Sequence, residues 1–269
     1  MLLGLHHVTA LAGDPQANLD YYTQGLGLRL VKRTVNFDDP GSYHFYFGDP
    51  GGRPGTLLTF FPGFHRQVRR GAGQAVSVAY GFPQPPAASH DPDRLDLQLV
   101  EGESPALYSV TLCERELEPT AMFLEMLGFD QVTTQSNRHQ FELGGGRARI
   151  DVMHEPNTER GKLGAGAIHH IAFRVADEAT QLDWRDRLMS AGMRVSPVKD
   201  RAYFHSIYFR EPGGVLFEIA TDGPGFLIDE SADALGTSLC LPPWLEPSRA
   251  SIEARLAPVD WPQYAAPTL

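Results

Sequence analysis

The stretch YHFYFGDPGGRPGTLLTFFP at 43–62 returns as HSIYFREPGGVLFEIATDGP at 205–224. Each copy reads as an aromatic strand, a tight turn and an apolar strand. The turns are Asp49-Pro50-Gly51-Gly52 and Glu211-Pro212-Gly213-Gly214. Proline presets φ there and glycine permits positive φ, so each copy reads as a hairpin. A repeat of this kind forces the chain into duplicated units that must bury their apolar faces against one another. A similar distance upstream of each turn stands a strand with two adjacent histidines, GLHHVTAL at 4–11 and AIHHIAFRV at 167–175.

Between histidine pair and turn lies a helical pattern. Leu19, Tyr22 and Leu26 in the first copy, and Leu182, Trp184 and Leu188 in the last, precede glycines that stop a helix. A third copy at 108–153 again runs strand, helix ending at Gly128, then strands. The unit is therefore β-α-β-β-β, about fifty residues long. Residues 73–84 and 94–103 look like the first and last strands of a fourth unit. The intervening PPAASHDPD is too short and turn-rich for a helix and two strands. The expected organisation is module 1 at 1–64, a truncated module 2 at 65–106, module 3 at 107–154, a polar linker at 155–165 and module 4 at 166–222. A Pro-rich tail follows at 223–269, with one helical piece at 247–256. The fold class is α+β.

Of the 269 residues, 42% are hydrophobic and 21% charged, ordinary for a globular chain. The formal net charge of −10 excludes nucleic acid and anionic membranes as natural partners. Two cysteines, Cys113 and Cys240, make no disulfide framework. With no signal peptide or long apolar run, a cytoplasmic location is expected. No phosphate loop, nucleophile elbow or Cys-x-x-Cys motif is present.

Strand alternation sorts the histidines. His169 shares a face with Ile171 and Phe173, and His6 with Val8. His170 shares the other face with Ala172 and Arg174, and His7 with Thr9. The bulky face packs against helices, so His7 and His170 turn to the open side. In the later strands Ile207, Phe209, Val215, Phe217 and Ile219 pack, leaving Ser206, Tyr208 and Glu218 on the open side. A carboxylate in an apolar strand is costly unless paired or bound to metal. The first copy has Thr59 at the position of Glu218. His7, His170 and Glu218 thus make two imidazoles and one carboxylate, the facial set of non-haem Fe(II) oxygenases. Mn(II) fits the same set; Zn(II) is more often held by four protein ligands or by three and a water. Tyr208 taken alone is a core aromatic, and Arg201 a surface charge or an anion contact. His44, His65, His90, His139, His154 and His205 lack any repeat pattern and read as structural or surface residues.

The repeat, with histidine on its first strand and glutamate on its last, resembles the vicinal oxygen chelate superfamily of glyoxalases, bleomycin and fosfomycin resistance proteins and extradiol dioxygenases. LHHVTALAGDPQANLDYY, RGKLGAGAIHHIAFRV, DRAYFHSIYFREPGGVLFEIATD and LCLPPWLEP are similar to its hydroquinone-cleaving members. The resemblance implies cupped mixed sheets, with modules 1 and 4 paired around one metal bound by His7, His170 and Glu218. It implies Fe(II), or Mn(II), and an extradiol-type ring cleavage of a small dihydroxy-aromatic substrate by O2. Tyr208 and Arg201 would act on the substrate hydroxyl, and His6, Thr9 and His169 would line the pocket. Module 3 has no histidine on its first strand and is not expected to bind metal. Apolar surface left by the truncated module 2 would favour a homo-oligomer. Two alternatives remain open: a glyoxalase-type isomerase or lyase, against which Thr59 weighs, and a non-catalytic aromatic-binding protein of the same fold.

Overall fold

The computed structural model describes residues 1–87 and 90–262; two residues of the PPAASHDPD stretch and the last seven of the tail lie outside the described residues. The chain opens with β1 (Leu5–Leu11), α1 (Pro15–Asp20), β2 (Arg29–Asn36), β3 (Asp39–Gly48) and β4 (Leu57–Phe61). Next come β5 (Gln74–Phe82), β6 (Leu97–Glu101), β7 (Ala106–Glu114), α2 (Leu117–Met126), β8 (Phe129–Gln135), β9 (Arg138–Leu143) and β10 (Ala148–His154). The last repeat holds β11 (Ile168–Val175), α3 (Glu178–Ser190), β12 (Lys199–Asp200), β13 (Phe204–Arg210) and β14 (Leu216–Pro224). The tail carries α4 (Arg249–Glu253). Among the described residues no helix is long and apolar enough to cross a membrane.

The strands form two mixed sheets. Eight strands lie in the order β12-β13-β14-β11-β1-β4-β3-β2, so the first and last repeats share one sheet through the β1–β11 pair. Six lie in the order β6-β5-β7-β10-β9-β8. In that sheet β5 and β6 run parallel side by side, as β1 and β4 do in the other, but among the described residues no helix lies between β5 and β6. One apolar core, including Val8, Phe47, Val110, Ile150, Phe173 and Phe217, joins the sheets and helices. Period-two burial of Ile207, Phe209, Phe217 and Ile219 in that core leaves the opposite face of the large sheet free for polar groups.

The turns owe their form to their acidic first residues. Asp49 accepts from the Arg53 amide (2.9 Å), and Glu211 from the amides of Gly213 (2.9 Å) and Val215 (2.8 Å). Gly52 and Gly214 take φ of 62° and 112°, which side chains resist. On α3 the buried face is Gln181, Trp184 and Leu188, while Leu182 is 48% exposed, correcting the expected stripe. Leu182 and Trp184 are two residues apart, which places them on opposite sides of a helix. Gln181 instead reaches inward and donates to the carbonyls of His205 (2.7 Å) and Ile219 (2.8 Å), tying the helix to β13 and β14.

Candidate metal centre

Two register shifts build the site. Along the β1–β11 pair, Leu5 faces Phe173 and His7 faces Ala172, so His6 is the extra residue of a bulge. Farther along, Thr9 faces His170 and Ala10 faces Ile168, so His169 is the extra residue of a second bulge on the partner strand. A bulge lets two consecutive side chains leave the strand on one side. His6 and His7 both pack on Phe204, with ring centroids 4.9 and 5.3 Å away. His169 joins His170 on the cavity wall. Strict alternation, which sends His6 and His169 to the packing face, is overturned by these two bulges.

His7 Nε2 and His170 Nε2 lie 3.1 Å apart. Glu218 Oε2 lies 3.5 Å from the first and 3.0 Å from the second. Adjacent ligands of a metal about 2.1 Å from each donor are separated by about 3.0 Å, so the three atoms match one face of an octahedron. Glu218 is fully buried; Ser206 Oγ donates to its Oε1 at 2.5 Å, while Oε2 has no hydrogen-bond partner. An orphaned buried carboxylate oxygen aimed between two imidazoles fits a bound cation. Burial alone pushes the Glu218 carboxyl up, but His7 and His170 hold it well below the usual carboxylate range.

Each of these imidazoles is backed by the histidine before it. His6 Nδ1 lies 2.9 Å from His7 Nδ1, and His169 Nδ1 lies 2.8 Å from His170 Nδ1. For Nε2 to offer its lone pair to a metal, Nδ1 must carry the proton, and the neighbour's Nδ1 then accepts it. Burial, with the charge of the adjacent histidine, lowers His6 and His169 to a pKa of about 3, so both stay neutral acceptors. Burial likewise lowers His170, opposed by Glu218.

Above this face opens a cavity of about 450 Å³, with His7 and His170 in its lining. On one wall the Tyr208 hydroxyl accepts from Arg201 Nε at 3.0 Å. Burial and Glu218 raise the Tyr208 pKa, so the phenol keeps its proton. On the other wall stands His44, which carries no repeat pattern of its own in the sequence and reads there as structural or surface. Its Nε2 lies 2.9 Å from Thr59 Oγ1, and Thr59 lies 2.7 Å from Thr9 Oγ1. Repeat alignment could have found it: His44 occupies in β3 the place of Ser206 in β13, and supports Thr59 as Ser206 supports Glu218. Thr9 and His6 are buried behind the wall and do not line the cavity. His65, His90 and His154 lie away from it, His139 bonds Thr134 (3.2 Å), and His205 pairs with Glu178 (2.8 Å).

A second convergent group, Asp229, Glu230 and Cys240, encloses an ammonium instead. Lys32 Nζ, fully buried, reaches Asp229 at 2.6 Å, Glu230 at 2.5 Å and Cys240 Sγ at 3.7 Å.

The sequence model of the "Glyoxalase/Bleomycin resistance protein/Dioxygenase superfamily" matches residues 4–80 and 107–219. A protein of Bacillus subtilis (strain 168) named "Putative ring-cleaving dioxygenase MhqO" is 39% identical over 96% of this chain and 97% of its own. The chlorohydroquinone/hydroquinone 1,2-dioxygenase of Sphingobium indicum is 32% identical over 90% of this chain and 92% of its own. A crystal structure of a "putative dioxygenase" from Bacillus subtilis subsp. subtilis str. 168 superposes with a TM-score of 0.90 at 39% identity, covering 96% and 98% of the two chains. Glyoxalase I from Zea mays shares the fold alone, with a TM-score of 0.62 at 14% identity over 81% of this chain and 92% of its own.

Proposed function

Because the chain belongs to the glyoxalase/bleomycin resistance protein/dioxygenase superfamily, we propose that it is a metal-dependent dioxygenase that opens hydroquinone-type rings with O2. The observation that carries this reading is the convergence of His7 Nε2, His170 Nε2 and Glu218 Oε2 within 3.5 Å of one another beneath an otherwise open cavity. Fe(II) is the metal of this reading, and Mn(II) suits the same donors. When bound, it supplies open positions where a dihydroxylated ring and O2 meet, and the electron transfer between them.

The chain's own residues do the rest. His6 and His169 hold the two ligand imidazoles in the Nε2-facing tautomer, and Ser206 fixes the carboxylate rotamer. Arg201 occupies a lone pair of the Tyr208 oxygen, which turns the phenolic proton toward the cavity. Tyr208 then donates to a substrate oxygen and returns as acid or base, while the Arg201 charge stabilises the anion that develops. His44, its Nε2 engaged by Thr59, has its other ring nitrogen left for a second substrate hydroxyl across the cavity. Phe61 and Phe204 supply apolar wall against the ring. The bond opened lies between a hydroxyl-bearing carbon and its neighbour, the extradiol-type outcome for a ring with no adjacent diol. We read the first and last repeats as the catalytic pair, and the segments 65–106 and 107–154 as the supporting pair, since each pair occupies its own sheet.

The isomerase alternative needs a carboxylate from each half, and Thr59 takes the register of Glu218 in the first. The test is anaerobic loading with Fe(II), then hydroquinone and ¹⁸O2. A ring-opened product with both labelled oxygens is expected. Turnover of a hemithioacetal with no O2 uptake would reverse the assignment.

A further inference from the structure

Arg201 is held by two partners, one of which comes from the opposite repeat. Its Nε donates to the Tyr208 hydroxyl at 3.0 Å, and its Nη2 donates to Asp38 Oδ2 at 2.8 Å. Lys199 Nζ donates to Asp38 Oδ1 at 3.2 Å, so both carboxylate oxygens are engaged. Asp38 stands in the two-residue turn between β2 and β3, at the mouth of the cavity. The turn is braced locally, since the Asp38 amide donates to Asn36 Oδ1 at 3.0 Å. Phe37 beside it meets Trp244 edge to face, with centroids 5.8 Å apart, and also lines the cavity.

Among the described residues, Tyr208 and Asp38 are the hydrogen-bond partners of the Arg201 side chain. The Arg201 guanidinium lies over the Tyr208 ring, 5.2 Å from its centroid, where a flexible arginine could slide. A carboxylate on Nη2 fixes the plane of the guanidinium, and the plane decides whether Nε points at the phenol. Asp38 itself is half-exposed and 163 residues away in sequence, so its pair with Arg201 is bought only by folding the two halves together. As a plain surface ion pair it would contribute little stability. Its consequence is orientational.

We propose that Asp38 is a positioning residue: it clamps Arg201 onto Tyr208 and so couples the mouth of the cavity to the hydroxyl that works inside it. The inference rests on the reading of Tyr208 as a proton donor to a bound aromatic hydroxyl. Substrate entering past the turn meets a competent tyrosine only while the clamp is made.

Two readouts test this, one independent of turnover. In ¹⁵N NMR of the metal-free protein, the Arg201 Nε–H signal, identified by its loss in Arg201→Lys, should be sharp and slowly exchanging. Asp38→Ala should broaden it or abolish it, and Asp38→Glu should retain it. With Fe(II) and hydroquinone, Asp38→Ala should lose about tenfold in kcat with a smaller change in KM, and Asp38→Glu should recover most of the loss. An unchanged Arg201 signal in Asp38→Ala would overturn the clamp, whatever happens to kcat. A lost signal with wild-type kcat would overturn its role in positioning. If the wild-type protein turns over no dihydroxybenzene, the functional reading fails, and the NMR arm still decides whether Asp38 holds Arg201.

Discussion

At the scale of single residues, each histidine pair divides its work. His7 and His170 present Nε2 to one point, and His6 and His169 occupy the Nδ1 atoms behind them. In the proposed reaction Tyr208 is the group that moves a proton; it lines the cavity, and burial and Glu218 raise its pKa. Tyr208→Phe should keep its metal and lose about a hundredfold in kcat with hydroquinone, read by oxygen uptake. A loss of metal in that variant would instead place the phenol in the support of the ligands. Arg201→Lys should also be slow, because an ammonium lacks the planar fork that meets both Tyr208 and Asp38.

At the scale of elements, the packing faces of the strands were legible because period two is simple and Glu218 broke an apolar run. Two features hid. A bulge adds one residue without changing composition, so alternation misplaced His6 and His169. His44 carried no signal of its own until its strand was laid on β13. Asp38 was hidden too, since a turn aspartate resembles any other turn residue until the fold brings Arg201 to it. The tail has an anchor of the same hidden kind. It covers the outer edge of β2, where the Cys240 amide donates to the Arg33 carbonyl at 2.9 Å, and it encloses buried Lys32 with Asp229 and Glu230. Removing one partner of such a buried cluster leaves uncompensated charge. Lys32→Ala should therefore cost about 3–5 kcal/mol in denaturant unfolding and expose the tail to protease. Unaltered stability would mean that the buried Lys32 cluster does not hold the tail.

At the scale of the whole molecule, two acids stand together at the edge of the apolar core that joins the sheets. Glu114 ends β7 in the small sheet, and Glu211 opens the turn between β13 and β14. A Cβ on Gly213 would stand 1.9 Å from Glu114 Oε2, so any other residue there would have to displace the Glu114 side chain. Burial, then the charge of Glu211, pushes the Glu114 carboxyl up to about 8. A carboxyl raised in the folded state binds its proton there while the unfolded chain releases it. The Glu114 contribution to stability is then intact below about pH 4.5 and lost as pH rises through about 8. Glu114→Gln should flatten that fall, raising Tm by about 3 °C at pH 9 and leaving it unchanged at pH 4. An equal shift at both pH values would remove the titration from the account.

In the proposed centre, three side chains from two distant repeats make one metal site. Anaerobic titration of Fe(II) into metal-free protein tests it most directly, with wild type compared with Glu218→Ala and both folds checked by circular dichroism. One tight site per chain is expected in wild type and none in the folded variant. Equal iron binding by both would contradict it.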